Sequence, residues 1–428
     1  MPKKRREFIK KILLAGIGVE LAPSIMRASE QLGPHESTLL SIGEQHGNYW
    51  ERLSRKFPLL KNYYYFNNAA LGSTPNCVSK AVHDCSVILE STGATGHHLV
   101  QNLRTNIASF LGANATEIAL IRNATEGMNI VANGIKLEPG DEIVITTHEH
   151  VSGTMPWVRA AQITGAKIVF AELDLSGEAN YEKILALTSA KTKVIVFSHV
   201  TCTTGMVLPV KRIASWCRKN NVYACVDGAQ AAGMITVDLH DLEVDFYTTC
   251  GHKWLYGPKE TGMLYVSERN LKILGGGYVG AYSDANYDAK NGILELKNEA
   301  SRYEYGTRNT ALIVGLGRAV DFIKEIGIER IQNRGAGLKT YLHDLLKDMP
   351  EVEIFTPNNP EFSASILTFR LKTLDYKEAQ KLLITKYQIR IRGIYENEIN
   401  GIRVSCACYN SEKQIEILVA ALKEIMNA

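Results

Sequence analysis

Alternation of strand-like and helix-like segments between residues 118 and 267 constrains the fold of this chain more than any other feature. Short apolar runs at 142–147 and 193–198 are separated by amphipathic segments such as 211–220. This β-α-β order predicts a largely parallel sheet that is covered by helices on both faces. In such sheets ligands bind beyond the carboxyl ends of the strands, and polar clusters follow several of these runs. We therefore predict an α/β fold with its functional site along that edge.

Two of the predicted strands are followed by groups that can act in chemistry. Asp227 and Lys253 each follow an apolar run, and Lys253 lies between His252 and Trp254. Desolvation beside an aromatic side chain disfavours the ammonium form of a lysine, and the neutral amine can form a Schiff base. A solvated surface lysine is the alternative interpretation. A lysine and an acid at two strand ends suit pyridoxal phosphate, whose aldehyde binds a lysine and whose ring nitrogen pairs with an acid.

An anion-binding turn is predicted where the run 118–121 meets a helix near Thr125. Backbone N–H groups and the helix dipole make such a turn suitable for a phosphate, and the Thr125 hydroxyl adds a donor. A plain helix that is capped by Thr125 and binds no ligand is the alternative.

The chain divides into four predicted segments. Residues 275–310 are rich in Gly and Tyr and are predicted to be loop-like, whereas the remainder alternates as in a small α+β domain. Its first part, 311 to about 349, is predicted to be helical with breaks near Gly327 and Gly335. We predict an export signal, an N-terminal arm, a large sheet domain and a small α+β domain, at residues 1–28, 29–62, 63–310 and 311–428. A chain of 428 residues is long enough to bury the cores that this division requires.

The N-terminus is basic and then apolar. Arg5 and Arg6 precede an apolar run at 12–22 that is too short to span a membrane, which resembles a twin-arginine export signal. A basic amphipathic helix is the alternative. Residues 1–28 carry a net charge of +5, so the rest of the chain carries −2 (3 minus 5), and nothing there favours nucleic acid. We expect a periplasmic or exported protein that uses the twin-arginine machinery, with a cytoplasmic location as the alternative.

Eight cysteines are spaced irregularly along the chain. This spacing predicts reduced thiols in the core rather than a disulfide framework, and it offers no metal site.

Taken together, these motifs resemble those of the class V aminotransferase family, which are pyridoxal phosphate enzymes of fold type I. The resemblance covers about residues 60–428. The motifs that carry it stand in the family's order: Asn67-Asn68-Ala69-Ala70, Asn123-Ala124-Thr125-Glu126, Glu149-His150, Ser198-His199-Val200, Val226-Asp227-Gly228-Ala229-Gln230 and Gly251-His252-Lys253. It implies a large, mainly parallel-sheet domain, a small α+β domain, bound pyridoxal phosphate and a homodimer with sites completed across the interface.

The resemblance also implies roles for single residues around the cofactor. Lys253 forms the internal aldimine and moves the Cα proton, and Asp227 pairs with the pyridinium nitrogen. Gln230 contacts the ring hydroxyl, and His150 stacks on the ring, with a purely structural histidine as the alternative. The phosphate is assigned to Thr125, the backbone of Glu126, Cys250 and His252.

On the substrate side, Arg403 matches the arginine that binds the substrate carboxylate, with a solvated strand arginine as the alternative. Asn68 is assigned to the substrate as well. Arg308 resembles a residue of the isopenicillin N epimerase-like branch that reaches the substrate or a neighbouring subunit's phosphate, with a surface loop arginine as the alternative. Cysteine desulfurases need a nucleophilic cysteine on the loop before the carboxylate-binding arginine, and residues 392–400 contain none. The sequence therefore favours the epimerase-like branch over a cysteine desulfurase.

The expected reaction acts on an α-amino acid, or on an amino-acid moiety of an exported peptide or natural product. It begins with an external aldimine and transfer of the Cα proton to Lys253, followed by epimerisation or transamination. A β-eliminating C–S lyase and a decarboxylating enzyme are alternatives, because they start from the same aldimine and a fold does not choose among them. A non-catalytic relative that binds the cofactor or a partner protein is an alternative of another class.

Overall fold

The computed structural model describes residues 49–427, so the predicted export signal and the first part of the predicted arm lie outside the described residues. Fifteen strands in this part of the chain build two main sheets and two short pairs. In chain order they are β1 (Tyr64–Tyr65), β2 (Ile118–Ile121), β3 (Glu142–Thr146), β4 (Lys167–Ala171), β5 (Thr192–Ser198), β6 (Tyr223–Asp227), β7 (Phe246–Cys250), β8 (Gly262–Val266), β9 (Asp284–Asp288), β10 (Ile293–Leu296), β11 (Val352–Ile354), β12 (Ile366–Leu371), β13 (Ile389–Arg390), β14 (Arg392–Ile394) and β15 (Gly401–Ser405).

The larger sheet has seven strands in the order β2-β8-β7-β6-β5-β3-β4. Neighbouring strands from β7 to β4 are parallel, and β8 runs antiparallel to both β7 and β2. Strands β6 and β7 are buried almost throughout, as expected where helices cover both faces. The predicted α/β architecture is confirmed. In register, Ser198 pairs with Asp227 and Asp227 with Thr248, which brings these strand ends to one edge.

The helices pack around the sheets through apolar faces. In the seventh helix, Val210, Ile213, Ala214 and Cys217 recur at helical spacing and are buried, whereas its last turn is basic. The helices of the described chain are α1 (Tyr49–Ser54), α2 (Asn76–Thr92), α3 (His97–Phe110), α4 (Ala124–Gly134), α5 (Val151–Thr164), α6 (Asn180–Leu185), α7 (Val210–Lys219), α8 (Leu239–Leu242), α9 (Thr310–Ile326), α10 (Ile328–Leu346), α11 (Tyr376–Tyr387) and α12 (Glu412–Met426).

The small domain is an antiparallel sheet of order β11-β12-β15-β14 that packs against α10, α11 and α12. The segment 64–66, which follows the predicted arm, joins it, because β1 pairs in parallel with β13 and Phe66 is fully buried in the small-domain core. Helix α9 instead packs on α2 and α3 of the large domain. Gly327 ends α9 with a φ of 95°.

Two local predictions differ from the structure. Residues 275–310 are not entirely loop-like, because β9 and β10 form an antiparallel hairpin. Its residues are mostly exposed on both faces, so no alternation of apolar and polar residues marks it in the sequence. A break near Gly335 was also predicted, but this glycine lies inside α10. No helix within residues 49–427 is long and apolar enough to cross a bilayer.

Candidate active site

A cavity of about 340 Å³ lies where the two domains meet, at the carboxyl ends of the parallel strands. The large domain contributes Ser198, Asp227 and Cys250, which are the last residues of β5, β6 and β7. The small domain contributes Arg392 and Arg403 from β14 and β15. The volume is in the range of sites that bind small molecules. A ligand in this cavity contacts residues of both domains.

Most of the predicted site residues meet in this cavity. Its lining includes Thr125, His150, Asp227, Gln230, Cys250, His252, Lys253 and Arg403. These residues come from five different segments of the chain. Because the strand ends share one edge of the sheet, residues that lie more than a hundred positions apart become neighbours.

Asp227 is fixed at the end of β6 by its own turn. Its Oδ1 accepts a hydrogen bond from the backbone N of Ala229 at 2.8 Å, and the residue is 7% exposed. A side chain at the intervening Gly228 would place Cβ 1.9 Å from the ring of Tyr247. The sequence Asp-Gly-Ala therefore gives a turn that holds one carboxylate oxygen and leaves the other directed toward the cavity region.

Glu149 is a second buried acid beside Asp227. Thr146 Oγ1 and Ser198 N donate to Glu149 Oε1 at 2.6 and 2.8 Å, and Ser198 Oγ donates to Oε2 at 2.8 Å. A Cβ built on Gly153 would lie 3.4 Å from Asp227 Oδ2 and 3.9 Å from Glu149 Oε2. Burial, and then the charge of Asp227, raises the pKa of Glu149 to about 7. Glu149 stands in a quoted motif, but sequence reasoning gave it no role.

The two histidines that line the cavity with Lys253, His150 and His252, favour the neutral form of the imidazole. Burial, and then the Lys253 charge, lowers the pKa of His150, and the same causes lower the pKa of His252 to about 4. His150 Nδ1 accepts from the backbone N of Ser152 at 3.1 Å, which fixes the ring at the start of α5. His252 Nδ1 is buried and has no hydrogen-bond partner among the described residues.

Trp254 supports the cavity wall through Gln230. Its Nε1 donates to Gln230 Oε1 at 2.8 Å, and Gln230 Nε2 donates to the carbonyl of Ala69 at 2.9 Å. The predicted contact of Gln230 with a ring hydroxyl therefore depends on the remaining N–H of its amide.

Arg403 combines deep burial with unused donors. The residue is 1% exposed, and its Nη1 donates to the carbonyl of Cys202 at 2.5 Å. Its Nε and Nη2 are buried and have no hydrogen-bond partner within residues 49–427. Burial, and then the nearby Arg392, lowers the pKa of Arg403 to about 10. A buried guanidinium with two free nitrogens on a cavity is expected to bind a carboxylate.

Three predicted residues do not reach this cavity. Asn68 is fully buried, and its Oδ1 accepts from the hydroxyl of Tyr409 at 3.0 Å. Glu126 and Arg308 line a separate cavity of about 320 Å³. Glu126 pairs with Arg122, and Arg308 Nη1 donates to the carbonyl of Leu120. The backbone N of Glu126 is also occupied, because Asn123 Oδ1 accepts from it as the helix N-cap, in place of Thr125.

The family model of class-V aminotransferases matches residues 64–418. The chain belongs to the class V aminotransferase family. Among curated relatives, the "Probable cysteine desulfurase" of Methanothermobacter thermautotrophicus is 29% identical over 400 residues, which cover 88% of this chain and 98% of the relative. The "Cysteine desulfurase" of an Enterobacter species is 29% identical over 402 residues, with the same coverage of 88% and 98%.

Solved structures of this family share the fold. The cysteine desulfurase CsdA of Escherichia coli superposes with a TM-score of 0.80 at 24% identity, covering 89% of this chain and 99% of that protein. The cystine C–S lyase C-DES, solved with its reaction product cysteine persulfide, gives a TM-score of 0.79 at 27% identity and covers 86% of this chain and 98% of its own. At 24% identity, the similarity to CsdA supports a shared fold only.

Pyridoxal phosphate is the cofactor of this family member, and the residues present fit it. Thr125, with its hydroxyl, and His252, whose Nδ1 is unpaired among the described residues, both line the cavity and would hold the phosphate. Lys253 can anchor the aldehyde, and Asp227 can hold the ring nitrogen in its protonated form. The thiol of Cys250, whose pKa burial raises to about 11, adds only a weak donor.

Two expectations about function were wrong. The similar proteins are cysteine desulfurases and a cystine lyase, which overturns the epimerase- or aminotransferase-like reaction on an exported peptide. They also overturn the conclusion that the cysteine-free stretch 392–400 argues against a cysteine desulfurase. One loop without a cysteine therefore does not separate this chain from proteins named cysteine desulfurases.

Arg392 is the cavity residue that sequence reasoning missed most clearly. It faces Arg403 because these two residues are direct partners in the β14–β15 ladder. The only signal in the sequence is that two neighbouring strands each carry an arginine. Whether the two arginines lie opposite each other depends on the turn that connects the strands, which the sequence pattern does not specify.

Proposed function

We propose that the protein is a pyridoxal phosphate-dependent C–S lyase of the cysteine desulfurase type. In this proposal it cleaves the Cβ–Sγ bond of cysteine or of a disulfide of cysteine. The observation that carries it is one cavity lined by Lys253, Asp227 and Arg403, whose Nε and Nη2 have no partner among the described residues. That arrangement suits an α-amino acid, and the named activities of the relatives support sulfur as the group that leaves.

Substrate binding begins at Arg403. Its Nε and Nη2 can bind the α-carboxylate, because these two donors are buried and have no partner within the described chain. A two-pronged contact fixes the plane of the carboxylate as well as its position. The substrate amino group then lies on the Lys253 side of the cavity.

Lys253 is the group that moves protons. When bound, pyridoxal phosphate supplies an electron sink that weakens the bonds at the substrate Cα. The Lys253 amine takes the Cα proton before the Cβ–Sγ bond breaks. With cystine, the leaving sulfur keeps the bonding electron pair. With cysteine, an acceptor thiolate attacks Sγ, an S–S bond replaces the Cβ–Sγ bond, and the bonding pair stays on Cβ, which takes up a proton. With a thiol acceptor, cysteine and the thiol give alanine and a persulfide. With cystine, water completes the reaction to pyruvate, ammonia and cysteine persulfide.

The sulfur acceptor in this proposal is a thiol in solution or the second half of a disulfide substrate. Residues 393–400 contain no cysteine. Cys202 lines the cavity, but burial raises its pKa to about 11, so its nucleophilic thiolate is scarce at neutral pH.

The test is product analysis with the purified, cofactor-loaded protein. Incubation with L-cysteine and dithiothreitol, or with L-cystine, is expected to release sulfide or persulfide together with alanine or pyruvate. The Lys253→Ala variant is expected to lose this activity by at least about 10³-fold. Exchange of the Cα proton, racemisation or transamination without release of sulfur would overturn the proposal.

Two further points are proposed with this function. A homodimer is supported by the family and by the exposed apolar residues of the β9–β10 hairpin, where Tyr287 and Leu294 are 65% and 49% exposed. Light scattering during size exclusion tests the dimer. Export by the twin-arginine route rests on Arg5 and Arg6, which lie outside the described residues.

A further inference from the structure

Two like charges face each other on the small-domain wall of the cavity. Arg392 and Arg403 are direct partners on neighbouring antiparallel strands, and both line the cavity. Like charges placed directly opposite each other destabilise a sheet. Such a pair needs anions, and the bound substrate offers one α-carboxylate. The unpaired nitrogens belong to Arg403, so the substrate carboxylate is expected there.

Arg392 already has an anion of its own. Its Nη2 donates to Glu396 Oε1, and the two side chains are 22% and 20% exposed. The backbone N of Tyr395 donates to the other oxygen of Glu396 at 3.2 Å. Glu396, four residues after Arg392, therefore accepts a hydrogen bond on each of its two carboxylate oxygens.

The turn that carries Glu396 is fixed against the large domain. Asn397 has a φ of 51°, in the left-handed region that few side chains adopt, and its Nδ2 donates to the carbonyl of Thr147 at 3.0 Å. Glu398 and Asn400 also have positive φ values, of 56° and 47°. This contact and the three left-handed residues together indicate that the turn is held in one conformation.

We propose that Glu396 determines specificity because its carboxylate compensates the positive charge of Arg392. The cavity then binds amino acids with one carboxylate in preference to amino acids with two. The charges balance in this arrangement, because two guanidinium groups face Glu396 and the single α-carboxylate of the substrate. A second carboxylate on the substrate would compete with Glu396 for Arg392 and would be repelled by it. This inference rests on the proposed function for the identity of the natural substrate, but amino acids without sulfur can test it.

The experiment measures binding of L-alanine, L-aspartate and L-glutamate to the cofactor-loaded protein by isothermal titration calorimetry. Glu396→Gln removes the charge and keeps the shape of the side chain. We expect the affinity for aspartate or glutamate, relative to alanine, to rise about tenfold, which is the scale of one charge-assisted hydrogen bond. The double variant Arg392→Gln/Glu396→Gln is expected to lose this gain, because Arg392 is the group that binds the second carboxylate.

The matched control is Glu353→Gln. Glu353 pairs with Arg370 on neighbouring strands of the same sheet, and neither residue lines the cavity. Its affinity ratio is expected to equal that of the wild-type protein. Circular dichroism and cofactor absorbance show whether each variant is folded and loaded.

An unchanged ratio in a folded and loaded Glu396→Gln protein would overturn the role of Glu396. So would a gain that persists in the double variant, because Arg392 would then not be the binding group. Cleavage of cysteine is assayed separately. A protein that binds alanine and shows the shifted ratio without releasing sulfur keeps the role of Glu396 and overturns the proposed function.

Discussion

At the scale of single residues, Arg403 joins function to a cost in stability. Its guanidinium is buried and keeps two unpaired nitrogens among the described residues, and burial lowers its pKa to about 10. A buried charge without a full set of partners destabilises the folded protein until a ligand supplies them. The residue that binds the substrate is therefore expected to weaken the ligand-free fold.

Replacing Arg403 by Met separates these two effects. We expect kcat/KM for cysteine to fall about 10²–10³-fold, because the carboxylate contact is lost. We also expect the free energy of unfolding of the ligand-free protein to rise by roughly 1–3 kcal/mol, since a well-packed apolar side chain replaces a buried charge. Steady-state kinetics and urea unfolding measure the two changes. Arg403→Lys is the control, because it keeps the charge and loses the fork; a stabilised Lys variant would contradict the explanation.

Glu149 gives the protein a pH dependence with a defined sign. Its pKa is raised from 4.5 to about 7, first by burial and then by Asp227. The folded state thus holds the proton more tightly than the unfolded state does. Its contribution to stability is fully present below pH 4.5 and is lost as the pH rises through 7, by up to about 3 kcal/mol.

Glu149→Gln is expected to remove this loss. The amide keeps the shape and stays neutral, so unfolding of the ligand-free variant by urea should depend less on pH between 5 and 8 than that of the wild-type protein. Parallel curves for the two proteins would show that Glu149 is already ionised in the folded state.

The position of a single residue could be predicted where that residue ends or follows a strand. It could not be predicted where it depends on which residues of two strands pair. Asp227 and Lys253 could be placed because apolar runs precede them and parallel strands end at one edge. Arg392 could not be placed, because its position opposite Arg403 depends on the pairing of two short strands. Asn68 and Arg308 do not line this cavity, because a motif gives the order of residues but not the direction of each side chain. Their contacts with a substrate stay predictions.

At the scale of elements, α10 shows how one glycine can be required while its neighbour is not. Gly335 and Gly337 lie in the same helix, and the sequence alone makes both candidates for a break. A Cβ at Gly335 would lie 2.2 Å from Ser365 Oγ and 2.9 Å from the carbonyl of Cys406, whereas a Cβ at Gly337 would meet nothing within 4 Å. Close packing of the helix on the small-domain sheet therefore explains Gly335, and this contact is invisible to local pattern.

Alanine substitutions at these two positions are expected to change stability in opposite directions. Gly335→Ala should lower the thermal midpoint, with a cost of roughly 1–3 kcal/mol from overpacking. Gly337→Ala should raise it by about 0.5–1 kcal/mol, because alanine loses less backbone entropy in a helix. Thermal unfolding followed by circular dichroism compares them. A Gly335→Ala protein as stable as the Gly337→Ala protein would mean that the helix can shift away from the sheet.

At the scale of the whole molecule, the cavity depends on both domains. The groups assigned to the cofactor come from the large domain, and Arg392 and Arg403 come from the small domain. The α/β architecture could be predicted, because strand-like and helix-like segments alternate over about 150 residues of the chain. The packing of α9 could not, because its partners α2 and α3 lie far away in sequence.

Export is also a property of the whole molecule, because the twin-arginine route is expected to carry a protein that has folded and bound its cofactor. All eight cysteines lie in the described chain as free thiols, and seven of them are buried, which suits folding in a reducing compartment. Exchange of Arg5 and Arg6 for Lys keeps the charge and removes the pair, so the protein should stay in the cytoplasm. Exchange of Lys3 and Lys4 for Arg is the matched control and should leave export intact. Cell fractionation with immunoblotting measures where each protein is found. The same distribution for both variants and the parent would contradict the export proposal. It would not affect the proposed C–S cleavage.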